Sequence, residues 1–246
     1  MSQAEANLRD AIERNYSAFA SMPRPQKLDA SPFRDAGKIL CTLTSAPLRE
    51  LKGEQVGPYS GWAITTVGDD RDYRHFLPRI LELAVTEPGW LGAEPPVMAS
   101  RLNLATWRSW PADQQAAILH FFRAAFEAVV ERHPQQGHSA DHWFSGIVTL
   151  GESASLTFER WCASSSPNAV LHMASFIIDE RNHLRRHAEV RGSFWENLSA
   201  DVRREVAKLL TAERTADFLQ AAEGQVSDED KFYFLDAALA ELQRQF

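Results

Sequence analysis

A glutamate and two histidines in the second half of the chain have the spacing of metal ligands. Glu180 and His183 are three residues apart, and His187 follows one helical turn later, so a helix would project the three side chains together. His138 and His142 form a second pair with the same separation. A four-ligand metal site becomes possible if these two helices meet.

The same residues also have an ordinary structural explanation. A carboxylate-bridged dimetal site needs such a motif on two helices together with further inward-facing glutamates, and the sequence contains one such motif. A helical wheel places Glu180, His183 and His187 at the border of the apolar face, where half-exposed polar side chains are common. The pattern therefore favours a solvated helix flank over a metal site, and no cofactor is predicted.

The other candidates for catalysis are weaker. Asp69, Asp70 and Asp72 with His75 could act as a general acid and base or bind a hard cation. Acids at a helix N-terminus more commonly offset the helix dipole and pair with nearby arginines. The sequence at 151–155 (GESAS) lacks the glycine of a nucleophile elbow and has no strand before it, which predicts a helix cap. Neither phosphate-binding glycine pattern occurs. An enzymatic role is not favoured.

Large apolar residues recur with helical period nearly from end to end, which predicts an all-α fold. We expect about ten helices in antiparallel pairs, forming a layered or irregular HEAT-like array. The segment 38–44 (KILCTLT) has the β-branched content of a strand, but the lack of a partner strand favours a helix. The last helix is predicted to begin at Ser227 with Asp230 in a capping-box-like position. Its apolar stripe contains Phe232, Leu235, Leu239, Leu242 and Phe246.

The stretch from Tyr59 to Leu83 predicts two helices joined by a tight turn. Pro58 is placed at the first position of the first helix, where its missing N–H costs nothing. Gly68 is expected to close this helix in a left-handed conformation, and three aspartates after it would cap the next one. Pro78 would break an ordinary helix, so we predict a short turn over 70–76 and a main helix from about Pro78.

Two runs of this sequence resemble a family of uncharacterised bacterial proteins of similar length. The runs are YSGWAITTVGDDRDYRHFLPRILEL at 59–83 and WRSWPADQQAAILHFFRAAFEAVV at 107–130. The family pattern is Tyr-x3-Ala-x-Thr-Thr-x-Gly, an acidic turn, and then His-Phe-Leu-Pro-Arg. The resemblance is close over the first half of the chain and loose over the second. The family often has a Cys-Pro-x-Cys-like element where this chain has ASPF at 30–33. The resemblance implies a fold and no activity.

Length and composition are those of an ordinary globular protein. The 246 residues are 44% hydrophobic and 24% charged, and we predict one domain over 1–246 with a possible subdivision near 134–140. The net charge of −7 argues against nucleic acid and is compatible with a basic protein partner. Cys41 and Cys162 are predicted to be small buried thiols. No apolar stretch suggests a signal peptide or a membrane span, which predicts a cytoplasmic protein.

These features favour a protein-binding or adaptor function. One specific form of that hypothesis is an immunity protein that occludes a bacterial toxin, because such proteins are often acidic and lack catalytic motifs. The predicted interface lies near the central turn and uses Arg71, Tyr73 and Trp90, since aromatic residues and arginine anchor interfaces. The alternative is a metal-binding protein or enzyme that uses the Glu180, His183 and His187 helix. A structural scaffold without a regulated ligand is a third possibility.

Overall fold

The fold is all-α, as the periodicity predicts. The computed structural model describes residues 2–90, 92, 94–192, 194–222 and 224–244, and no strand occurs among them. The helices are α1 (Gln3–Ala18), α2 (Ala36–Leu43), α3 (Gly53–Trp62), α4 (Asp70–Thr86), α5 (Pro95–Leu104), α6 (Ala112–Glu131), α7 (Ala140–Thr149), α8 (Ala154–Cys162), α9 (Pro167–His187), α10 (Ala200–Leu210), α11 (Glu213–Gln220), α12 (Asp228–Asp230) and α13 (Asp236–Gln243). A π-helical stretch, Lys231–Leu235, joins α12 to α13. No described helix has the length and apolar character needed to cross a membrane.

The chain divides into two compact units, Met1–Ala125 and Phe126–Phe246, which we call unit 1 and unit 2. The boundary falls inside α6, whereas the sequence suggested a subdivision near 134–140. In unit 1, α4 packs against α1 and α3, and α2 packs against α3. In unit 2, α9 packs against α7, α11 and α13, and α8 packs against α7 and α10. Packed pairs therefore include helices that are adjacent in sequence and helices that are distant in sequence.

Each unit buries its own set of aromatic side chains. Unit 2 contains a continuous aromatic cluster, in which Trp161 lies 5.5 Å from Phe126 and 6.0 Å from Phe144 between ring centres. Trp195 joins the same cluster at 5.3 Å from Phe144. Large rings that are fully buried in unit 1 are those of Tyr59, Tyr73, Phe76, Trp107, Phe121 and Phe122.

Local capping signals are confirmed where they rest on side-chain hydrogen bonds. Asp69 is the N-cap of α4, and its carboxylate accepts hydrogen bonds from the N–H groups of Arg71 and Asp72. Ser153 caps α8 by accepting from the Leu156 N–H, as predicted for the 151–155 segment. Ser227 likewise accepts from the N–H of Asp230 at the start of α12. The segment 38–44 is helical over most of its length, in α2.

Both proline-based predictions are wrong. Pro58 lies in the interior of α3, which begins at Gly53, and Pro78 lies inside the unbroken helix α4. An interior proline costs about 3 kcal/mol, whereas burial of one large apolar side chain contributes about 1.5–3 kcal/mol. α4 buries a long stripe around Pro78, which outweighs the lost hydrogen bond. Its buried apolar residues are Tyr73, Phe76, Leu77, Ile80, Leu81, Leu83, Ala84 and Val85.

The connection between α3 and α4 is longer than predicted. α3 ends at Trp62, and the residues that follow form a turn before Gly68. Gly68 has the expected left-handed φ of 67°, and Ile64 in the same turn has the same value. A positive φ is a genuine outlier for a β-branched residue, so this turn is strained at Ile64.

The cysteines and the C-terminal stripe also differ from expectation. Cys41 is exposed on α2 and Cys162 is half-buried, so neither is a fully buried thiol. Leu235, Leu239 and Leu242 are buried as predicted. Phe232 is exposed, and Phe246 lies outside the described residues.

Candidate functional site

Glu180, the carboxylate of the predicted metal motif, already has two protein hydrogen-bond donors. It lies near the middle of α9 and is buried. One oxygen accepts from the N–H of Gly192 at 2.6 Å and the other from the N–H of Arg191 at 2.7 Å. Burial raises the pKa of Glu180, although these two hydrogen bonds oppose the increase. The side chain anchors the segment after α9.

The four histidines do not assemble with Glu180 into a metal centre. The rings of His183 and His187 lie 6.4 Å apart, and those of His138 and His142 lie 6.3 Å apart. Across the described residues, no group of three or more His, Cys, Asp or Glu side chains could hold a metal ion. The arrangement therefore does not support coordination by the five predicted ligands. The expected border position fits His183, which is half-buried, but not the buried Glu180.

The three residues predicted to bind a partner do not form one exposed surface. Arg71 is exposed, but Tyr73 is completely buried in the core of unit 1. Trp90 is half-buried against Gly53, where an added Cβ atom would lie 2.5 Å from the indole ring. Tyr73 is buried because its helical position places it on the apolar stripe that α4 packs into the core.

Two of the three acids near His75, Asp69 and Asp72, cap α4. Asp69 caps α4, and the carboxylate of Asp72 accepts from the N–H of Asp69 at 3.1 Å. His75 Nδ1 lies 3.0 Å from the carbonyl oxygen of Met22, which can only accept a hydrogen bond. Burial lowers the pKa of His75. The imidazole is therefore bonded to the backbone and makes no hydrogen bond to the three aspartates.

The charge of the chain is distributed unevenly. Acidic and basic residues balance over 1–125, so the whole net charge of −7 lies in 126–246. Part of the unit 2 charge is neutralised internally, because Glu189 forms ion pairs with Arg191, Arg203 and Arg204. The segment 227–244 contains five acids and two bases, and three of its acids are exposed and make no ion pair among the described residues.

An exposed aromatic pair lies among these acids. Phe232 is 68% exposed and Tyr233 is 62% exposed, and their rings meet edge to face at 5.4 Å. Asp228 and Glu229 precede the pair by about one turn, and Asp236 follows it by about one turn. These three acids are exposed and make no ion pair within the described chain. We call the five residues the acidic–aromatic surface.

This surface is held on a well-anchored helix. The N–H of Asp236 donates to the carbonyl of Lys231, the wider spacing of a π-helix, which often marks functional positions. Asp230 lies beside His133 at 3.2 Å, and α13 packs along α9. Arg185 of α9 and Glu241 of α13 form a two-point ion pair. The exposed rings therefore project from a backbone whose opposite side is buried.

Sequence periodicity assigned Phe232 to the core and did not single out Tyr233. Three consecutive aromatics, Phe232 to Phe234, carry a signal that periodicity alone overlooks. Consecutive helix positions are separated by about 100°, so three neighbours cannot all face the same core. At least one ring must be exposed, and the structure exposes two.

No protein family, curated protein or solved structure gives a significant match to this chain. Function is therefore inferred from the residues of the chain itself.

Proposed function

We propose that this protein binds another protein, and that the acidic–aromatic surface docks a basic segment of the partner. The single observation that carries the proposal is the exposed pair Phe232 and Tyr233 flanked by three acids without ion pairs. Two adjacent large rings are costly to leave in water, and tyrosine is enriched among residues that dominate binding energy. The three acids favour a partner segment with positive charge.

The two kinds of residue contribute differently to binding. Burial of a large apolar side chain contributes about 1.5–3 kcal/mol, and a cation over an aromatic face adds about 0.5–2 kcal/mol. Exposed acids add little affinity but speed the encounter with a basic partner and exclude acidic ones. The rings therefore supply most of the affinity, whereas Asp228, Glu229 and Asp236 supply selectivity.

A more specific form of the proposal is an immunity protein of the bacterial cytoplasm that occludes a basic toxin. It is supported by the concentration of net negative charge in unit 2 and by the apolar pair available for occlusion. The partner would present lysine or arginine side chains around an apolar centre.

The test first captures a partner protein and then measures its binding with both proteins purified. The full chain is immobilised, a partner is recovered from lysate of the native host, and the purified partner is titrated by calorimetry. Phe232→Ala with Tyr233→Ala is expected to weaken binding at least tenfold. Asp228→Asn with Glu229→Gln is expected to lower the association rate, measured by stopped-flow fluorescence, and to make that rate less dependent on salt.

Leu156→Ala is the matched control, because Leu156 is 60% exposed on α8. It is expected to leave affinity unchanged. Recovery of no specific partner would count against the function, and equal binding by the double alanine variant would exclude this surface as the docking site.

A further inference from the structure

A cleft of about 370 Å³ lies in unit 1 between α2 and α3. Its apolar wall includes Ile39, Pro58 and Trp62. Phe33, in the loop before α2, borders the cleft and is 95% exposed. The volume lies within the range of sites for small organic ligands.

Two cations line this cleft without a carboxylate partner in the described chain. The guanidinium carbon of Arg34 lies 3.7 Å above the ring centre of Trp62. Stacking on the indole holds the guanidinium plane, and its N–H groups donate no hydrogen bond to an acceptor among the described residues. Lys38 lies one turn further along and is exposed. The cleft therefore offers fixed donors suited to a carboxylate.

Two acids line the same cleft. Asp35 is the N-cap of α2, and its Oδ1 accepts from the N–H of Lys38 at 2.9 Å. Glu54 lies in the first turn of α3 and makes no ion pair among the described residues. Arg34 lies before α2 and Glu54 is exposed in the first turn of α3, and both line the cleft. A ligand that bridges them needs a negative group and a positive group.

We propose that this cleft binds a free zwitterionic aromatic molecule of the α-amino acid class. The carboxylate accepts hydrogen bonds from Arg34, the ammonium group pairs with Glu54, and the aromatic ring packs against Ile39, Pro58 and Phe33. The apolar wall would bind the aromatic ring of the ligand. The positive and negative side chains would bind its carboxylate and its ammonium group. All these residues belong to unit 1, so the inference is independent of the acidic–aromatic surface.

Three related ligands separate the contributions of the carboxylate and the ammonium group to binding. Calorimetric titrations of the full chain use L-tryptophan, N-acetyl-L-tryptophan, which lacks the ammonium group, and tryptamine, which lacks the carboxylate. L-tryptophan is expected to bind at least about tenfold more tightly than either analogue, because each analogue loses a charged hydrogen bond. Equal binding of the N-acetyl analogue would replace the zwitterion site by a simple anion site, and absence of binding by L-tryptophan would overturn the proposal.

Substitutions test the same assignment from the protein side. Arg34→Gln and Glu54→Gln are each expected to weaken L-tryptophan binding about tenfold or more, and Phe33→Ala about threefold or more. Arg71→Gln is the matched control, since Arg71 is exposed on α4 outside the cleft lining. Circular dichroism checks that each variant is folded. Unchanged affinity in both the Arg34 and Glu54 variants would refute the site. Phe232→Ala with Tyr233→Ala leaves this binding intact, which separates failure here from failure of partner docking.

Discussion

The carboxylate of Glu180 accepts a 2.6 Å hydrogen bond from the backbone N–H of Gly192, twelve residues further along the chain. The second oxygen accepts from the N–H of Arg191 at 2.7 Å. One buried side chain thus satisfies two consecutive donors of the segment that follows α9. Glu180, one of the residues with the spacing of metal ligands, therefore has a structural role.

We predict that Gly192→Ala destabilises the protein by about 1–3 kcal/mol. An added Cβ atom would overlap Glu180 Oε1 and displace a carboxylate that is already bonded twice. The measurement is the midpoint of urea unfolding. Gly224→Ala is the control, since nothing lies within 4 Å of the Cβ position there. If Gly192→Ala and Gly224→Ala lowered the stability equally, the overlap between the added Cβ atom and Glu180 would be contradicted.

Unit 2 should lose stability in mild acid through His172. Its Nδ1 accepts from the N–H of Ala140 at 3.2 Å, and Nε2 lies 3.1 Å from the carbonyls of Val129 and Arg132. Burial lowers the pKa of His172 to about 4. Because the pKa is lower in the folded state than in the unfolded state, the unfolded chain binds the proton first.

Stability is therefore complete above the unfolded pKa of about 6.5 and decreases as the pH falls toward 4, by up to about 3 kcal/mol. Unfolding free energies measured across this range test the slope. His172→Gln retains a side-chain donor and acceptor but does not titrate, so its slope should be shallower. An identical slope in the variant would assign the pH dependence to other groups.

Arg79 is expected to be the most sensitive charged position of unit 1. It is buried, donates to the Leu51 carbonyl at 2.7 Å and to Glu82 at 2.6 Å, and Tyr16 donates to the same Glu82 oxygen at 2.5 Å. Arg79→Met leaves Glu82 poorly compensated and should cost about 3–5 kcal/mol in thermal or urea unfolding. Arg71→Met, at an exposed position of the same helix, should stay within about 0.5 kcal/mol.

The two cysteines should react at different rates. Cys41 is exposed, whereas Cys162 is half-buried and burial raises its pKa. Because the thiolate is the reactive form, an aromatic disulfide reagent should modify one thiol of the native protein at least about tenfold faster than the other. Cys41→Ser should remove the fast phase, and denaturation should make both thiols reactive. If the fast phase remained in Cys41→Ser, Cys162 and not Cys41 would be the fast-reacting thiol.

Features that depend on neighbours along the chain could be predicted before the fold was known. Helical periodicity predicts the all-α fold because the apolar stripe of each helix must be buried, and without strands to form a sheet it packs against other helices. The caps at Asp69, Ser153 and Ser227 follow from side chains that bond N–H groups two or three residues away. These interactions need no knowledge of the rest of the fold.

Contacts between residues distant in sequence could not be predicted, nor could the local preferences that packing overrides. Pro78 stays inside α4 because the burial of that helix outweighs the loss of one hydrogen bond, and periodicity cannot supply that balance. The Glu180 carboxylate accepts hydrogen bonds from a segment beyond its own helix, and Arg34, in the loop before α2, stacks on the ring of Trp62 in α3. Such contacts depend on how helices pack in three dimensions, because residues distant in sequence supply the opposing atoms.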